Sequence, residues 1–142
     1  MLIQDQKCHE ELCIQKYQNG SKQAQDPQLK ELFNSLAQKE QEHLDSINQI
    51  LSGQVPSIPQ GQPSQGNNQY QAQGSGSNPN DATLCNDMLA TEKYVSSTYD
   101  TTIFECVDTN VRQVLNHIQK EEQEHGEQIF NYMQSAGMYN PQ

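Results

Sequence analysis

The sequence predicts an all-α fold, an antiparallel four-helix bundle built from two similar helical hairpins. Three observations predict it: apolar residues recur at helical spacing, the two halves of the chain resemble each other, and a segment rich in Gln, Gly, Ser and Pro separates them. At 142 residues the chain is one domain's worth, enough for one modest core but not for two independent ones. Hydrophobic residues make up only 32% and Trp is absent. The apolar side chains must therefore be gathered on narrow stripes, which a helical bundle manages with fewer of them than a sandwich needs.

The elements follow in order. The first helix is expected over residues 4–25, with Gly20 as a weak spot inside it. Asp26 is a good N-cap and Pro27 suits the first helical position, where its missing N–H costs nothing, so a second helix is expected over 27–51. Residues 53–80 bury too little apolar surface to offset their ordering entropy and read as a flexible connector. A third helix is expected over 82–107. Asp108 and Thr109 then repeat the capping chemistry of Asp26 and open a fourth, over 109–135. The single domain thus divides into a hairpin at 4–51, the connector, and a hairpin at 82–135.

The likeness of the halves is the most informative feature. At an offset of 82, Asp26 falls on Asp108 and Glu40-Gln41-Glu42-His43 falls on Glu122-Gln123-Glu124-His125. At an offset of 77, Lys16-Tyr17 falls on Lys93-Tyr94, Cys8 on Cys85 and Glu10 on Asp87. The second half then reads as having gained five residues between its Lys-Tyr pair and its Asp. Leu29, Phe33, Leu36, Glu40, His43, Ile47 and Leu51 form one helical stripe. Adding 82 to each gives Val111, Leu115, Ile118, Glu122, His125, Ile129 and Met133. An acid and an imidazole stand where core residues are expected, twice, in register.

Charge narrows the partners. A formal net charge of −10 and a pI near 4.6 would repel a nucleic-acid backbone or an anionic membrane surface, while leaving metal cations open. The N-terminus lacks the basic region and apolar core of a secretory signal, and no stretch approaches a membrane span, so a soluble chain made in the cytoplasm is expected. Cys8, Cys13, Cys85 and Cys106 show no C-x-x-C spacing and are expected to be small packed residues rather than zinc or redox ligands.

Residues at i and i+3 share a helical face, so Glu40 with His43, and Glu122 with His125, can each aim at one point. A buried carboxylate is costly unless paired, hydrogen-bonded or metal-bound. Two such pairs facing each other match the carboxylate bundles that hold two iron or two manganese ions, which add one carboxylate from each remaining helix. Glu10 and Asp87 are the first choices for these, with Asp5, Glu11 and Glu92 competing. Glu92 stands on a rival stripe with Leu84, Met88, Val95 and Tyr99. Tyr17 and Tyr94 are expected beside the site, each with a hydroxyl free to bind a carboxylate. The alternative for both Glu-x-x-His pairs is a solvated polar face. His9 and His117 read as surface histidines. The connector lacks the Lys-Ser/Thr of a phosphate loop.

A connector of this length crosses a bundle of roughly 35–40 Å with slack, and a ferritin-like bundle needs one such long crossover. The segment from Leu84 to Pro141, above all its closing HGEQIFNYMQSAGMYNP, resembles the spore coat protein F family of endospore-forming bacteria. The first half resembles the same module more loosely. The resemblance implies a ferritin-like bundle serving as a structural component of the spore coat, deposited from the mother-cell cytoplasm among other coat proteins. The two Glu-x-x-His pairs also resemble the motif of rubrerythrins and manganese catalases. They imply, as the alternative, a di-iron or di-manganese oxidoreductase that disposes of peroxide, or a metal binder. By analogy with ferritin-like bundles, a homodimer is a further expectation.

Overall fold

The computed structural model describes residues 2–58 and 78–138. Four helices account for nearly all of them: α1 (Leu2–Gln23), α2 (Pro27–Leu51), α3 (Pro79–Glu105) and α4 (Thr109–Ser135). α2 and α4 begin and end where the sequence predicts, and α1 begins and ends two residues earlier than expected. α3 starts three residues earlier than expected, because Asn78 caps it by accepting from the backbone N–H groups of Asn80 and Asp81 while Pro79 takes the first helical position. Most of the expected connector, residues 59–77, lies outside the described residues, as does the closing Tyr139-Asn140-Pro141.

The caps are specific. Asp26 accepts from Gln28 N, and Asp108 accepts from Asn110 N and Val111 N. α2 and α4 end alike, in Gly53 (φ 90°) and Gly137 (φ 72°). The residue after each glycine sends its N–H back to the last turn, Gln54 to Gln49 O at 2.9 Å and Met138 to Met133 O at 2.8 Å. Glycine fits because a Cβ is strained in this left-handed conformation.

Consecutive helices pair into antiparallel hairpins, α1 with α2 and α3 with α4, and α1 also packs on α3 and α2 on α4. The start of α3 lies beside the end of α1, where Asn80 Nδ2 donates to Gln23 O at 3.0 Å. The end of α2 lies at the opposite end of the bundle, where Ile50 joins Ile3 and Val111. The connection between α2 and α3 therefore joins opposite ends of the bundle, the single long crossover of a ferritin-like topology.

Two apolar clusters fill the interior. One, nearer the α1–α2 turn, contains Leu29, Phe33, Leu36, Met88, Ile129 and Met133. The other, toward the α3–α4 turn, contains Cys13, Ile47, Val95, Leu115 and Ile118. Gly20 is no weak spot in this packing. A Cβ there would stand 3.0 Å from Phe33 Cδ2, so the missing side chain lets α1 approach α2 closely. Leu51, the last residue of the α2 stripe, is 43% exposed at the helix end. Between the clusters lies a polar waist.

Candidate metal centre

The waist is built from one face of each helix. α2 supplies Glu40 and His43, and α4 supplies Glu122 and His125, one turn apart on otherwise apolar stripes. α1 supplies Glu10 from the buried series Gln6, Glu10, Cys13, Tyr17, Gly20, and α3 supplies Glu92 from Met88, Glu92, Val95, Tyr99, Thr102. All six groups are at most 2% exposed. They form two overlapping quartets, Glu10, Glu40, His43 and Glu122, and Glu40, Glu92, Glu122 and His125. Within each quartet the ligand atoms lie within 4.8 Å of one another. Glu40 and Glu122 belong to both quartets.

The arrangement has a pseudo-twofold symmetry. His43 Nδ1 meets Glu122 Oε1 at 2.8 Å, and His125 Nδ1 meets Glu40 Oε1 at 2.8 Å. The two imidazoles stack with centroids 5.5 Å apart and planes 16° from parallel. Tyr17 donates its hydroxyl to Glu92 Oε1 at 2.5 Å, and Tyr99 donates to Glu10 Oε1 at 2.6 Å. Each helix that offers a lone glutamate thus also orients the glutamate of its counterpart.

Two expectations are corrected here. Asp87 is not part of the cluster. Its side chain is 56% exposed and pairs with Lys16 at 3.0 Å, because it lies off the buried face that Met88, Glu92 and Val95 define; Glu92 stands in its place. Tyr94 is 61% exposed and meets the edge of His9; Tyr99 takes its place. Both errors have one source. The halves repeat at a single offset of 82 throughout, which pairs Glu10 with Glu92, Tyr17 with Tyr99 and Glu40 with Glu122, and even the ends of α1 and α3 at residues 23 and 105. The recurrence of Lys-Tyr at an offset of 77 therefore does not mark equivalent positions, and the expected five-residue difference between the hairpins is not seen in the structure. Asp5 and Glu11, the other candidates on α1, are exposed.

Beyond these six stands Glu121, absent from the expected set. Its Oε1 lies 3.0 Å from His43 Nε2 and 3.1 Å from His117 Nε2, which makes His117 part of the site's surroundings rather than an isolated surface residue.

The six groups stand close enough to shift one another's proton affinities. Burial raises Glu40 and Glu122 well above the ordinary carboxylate range, and the negative Glu10 and Glu92 beside them add to the effect. Burial also pushes Glu10 and Glu92 upward, but their neighbours outweigh it. Glu10 is lowered by Glu40, His43 and Tyr99, and Glu92 is lowered to about 2 by Glu122, His125 and Tyr17. The imidazoles are lowered by burial and raised more strongly by the carboxylates around them, so both bind protons more tightly than a free histidine. The oxygens Glu10 Oε2, Glu92 Oε2 and Glu122 Oε2 are buried with no hydrogen-bond partner among the described residues, where such a group normally costs about 1–3 kcal/mol. Two divalent cations would balance four carboxylates with both imidazoles neutral, and would supply these orphaned oxygens with partners.

The cysteines stay outside this chemistry. Cys13 and Cys85 are buried and free; burial pushes the Cys85 thiol up to about 12 and, with the nearby glutamates, the Cys13 thiol higher still. Among the described residues, no helix is long and apolar enough to cross a membrane.

No curated protein and no solved structure matches the chain. The Coat F domain matches residues 80–142, which hold nearly all of α3 and the whole of α4. The second hairpin and the residues that follow it thus match the Coat F domain, in line with the spore coat protein F family that the sequence resembles.

Proposed function

We propose that the protein is a structural component of the spore coat whose bundle holds a di-metal carboxylate site. The coat role rests on the Coat F domain. It carries the expectations that the chain is made in the mother cell, is deposited in the coat and packs against other coat proteins and a second copy of itself. The metal role rests on one observation above the rest. Two four-residue sets of potential ligands, fully buried, share Glu40 and Glu122 and leave three carboxylate oxygens without a hydrogen-bond partner among the described residues.

Glu10, Glu40, His43 and Glu122 would hold one ion, and Glu40, Glu92, Glu122 and His125 the other. Carboxylate and imidazole donors suit iron and manganese, and such ions would supply Lewis acidity or electron transfer. The chain's own residues hold the ligands in place: Tyr17 and Tyr99 fix the outer glutamates, and the two apolar clusters exclude water above and below. With every ligand at most 2% exposed, the centre is suited to bracing the bundle. The alternative, a peroxide-consuming oxidoreductase, uses the same six ligands and needs a path for substrate.

The test is metal analysis of protein purified without chelator, beside a His43→Ala, His125→Ala double variant. The proposal expects close to two iron or manganese ions per wild-type chain and a large loss in the variant. Equal and negligible metal in both would refute the metal role, and absence of the protein from extracts of purified spores would refute the coat role. Peroxide turnover by the metal-loaded chain would favour the oxidoreductase.

A further inference from the structure

The inner ligands obey the pseudo-twofold, but the residues behind them do not. At the offset of 82 that relates the halves, Glu121 corresponds to Lys39. Glu121 accepts from His43 Nε2 at 3.0 Å. This commits the ring to the tautomer with its proton on Nε2 once Nδ1 is called upon to bind a metal, and turns Nδ1 toward Glu10, Glu40 and Glu122. Lys39 points instead into solvent, 48% exposed and paired with Glu42 at 3.1 Å. No hydrogen bond to His125 Nε2 is found among the described residues; only the Nδ1 side of that ring is engaged, by Glu40, Glu92 and Glu122.

From this difference the geometry points to two inequivalent metal positions, with Glu121 as a positioning residue that makes the His43 position the tighter of the two. The inference rests on the metal reading above and adds an order of filling to it. A carboxylate behind a ligating imidazole fixes the ring and raises its basicity, and losing such a partner typically weakens a metal about 10–100-fold. The first ion enters the Glu10, Glu40, His43, Glu122 set. The second follows into the set that contains His125, whose Nε2 has no carboxylate behind it among the described residues.

The experiment is a calorimetric titration of the chelator-stripped full-length chain with Mn²⁺, with electron paramagnetic resonance reporting when two ions become neighbours. The wild type is expected to take two ions in separate steps, the first about tenfold or more tighter, with the coupled signal appearing only in the second. Glu121→Ala should weaken the first step about 10–100-fold and bring the two steps together. Lys39→Glu places a carboxylate at the equivalent point behind His125, so it should tighten the second step and also bring the steps together. Two equal steps in the wild type, or a first step untouched by Glu121→Ala, would overturn the inequivalence while leaving a di-metal site intact. No Mn²⁺ taken up by the wild type would instead overturn the metal reading itself.

Discussion

Replacing the two carboxylates common to both quartets by their neutral isosteres, Glu40→Gln with Glu122→Gln, should stabilise the metal-free protein at alkaline pH and abolish the response to metal that the proposal expects. Both glutamates are fully buried, and burial together with their negative neighbours raises their folded pKa values. A group whose pKa is raised by folding favours the fold below its unfolded value and loses that contribution as pH rises toward its folded value. Each proton kept in the fold and lost from the unfolded chain tilts stability by about 1.4 kcal/mol per pH unit. Half a proton on each of two carboxylates over one pH unit already amounts to about 1.4 kcal/mol. A Gln can still accept from His125 Nδ1 or His43 Nδ1, so the reciprocal contacts at 2.8 Å survive. The expected result is near-equal stability at pH 5 and a variant more stable by about 1–4 kcal/mol at pH 8, or several degrees in Tm for a chain of this size. The assay is thermal or urea unfolding of chelator-stripped protein across that pH range, repeated with Mn²⁺. Saturating metal at 100 times Kd should add about 2.7 kcal/mol to the wild type and little to the variant. A variant less stable than the wild type at pH 8 without metal would refute the reasoning, because it would mean that the carboxylates are satisfied by the protein alone.

Other expectations follow from the same geometry. The metal-free wild type should lose stability as pH rises above about 6.5. His43 and His125, both raised by their carboxylate neighbours, keep protons there that the unfolded chain releases; a flat Tm between pH 6 and 8 would contradict this. Gly20→Ala should cost about 1–3 kcal/mol by overpacking, since its Cβ would meet the Phe33 ring at 3.0 and 3.1 Å; chemical denaturation checks it. Asp81→Ala should cost about 2–4 kcal/mol by unfolding titration. The buried Asp81 carboxylate accepts from Gln25 N at 2.9 Å and Asp26 N at 3.0 Å and so ties the start of α3 to the α1–α2 turn.

Much of this was legible from the chain alone, for reasons that can be located. α2 and α4 have strong 3.6-residue stripes and Asp caps, so their bounds and the inward Glu-x-x-His pairs follow from periodicity. α1 and α3 bury Gln6, Glu10, Ser21, Asp81, Glu92 and Thr102, and a helix whose buried face is this polar leaves little apolar periodicity to read. The identical Lys-Tyr dipeptides then give the stronger sequence signal, and they point to Asp87 and Tyr94 where the buried faces hold Glu92 and Tyr99. A single offset held to both ends of the chain would have found the right pair. Glu121 had no such signal, because its counterpart in the first half is a lysine and its role appears only when α4 is laid against α2.

The repeat carries a consequence for how such a centre can change. Each hairpin contributes half of the six buried Glu and His groups, and its tyrosine steadies the glutamate of the opposite hairpin, so neither half-site is complete without the other. Two identical copies meeting face to face would be held to strict equality, since any substitution would strike both sides at once. Joining the copies in one chain removes that constraint. A single change at residue 121 or residue 39 can alter one side only, so the two half-sites of one chain are free to differ.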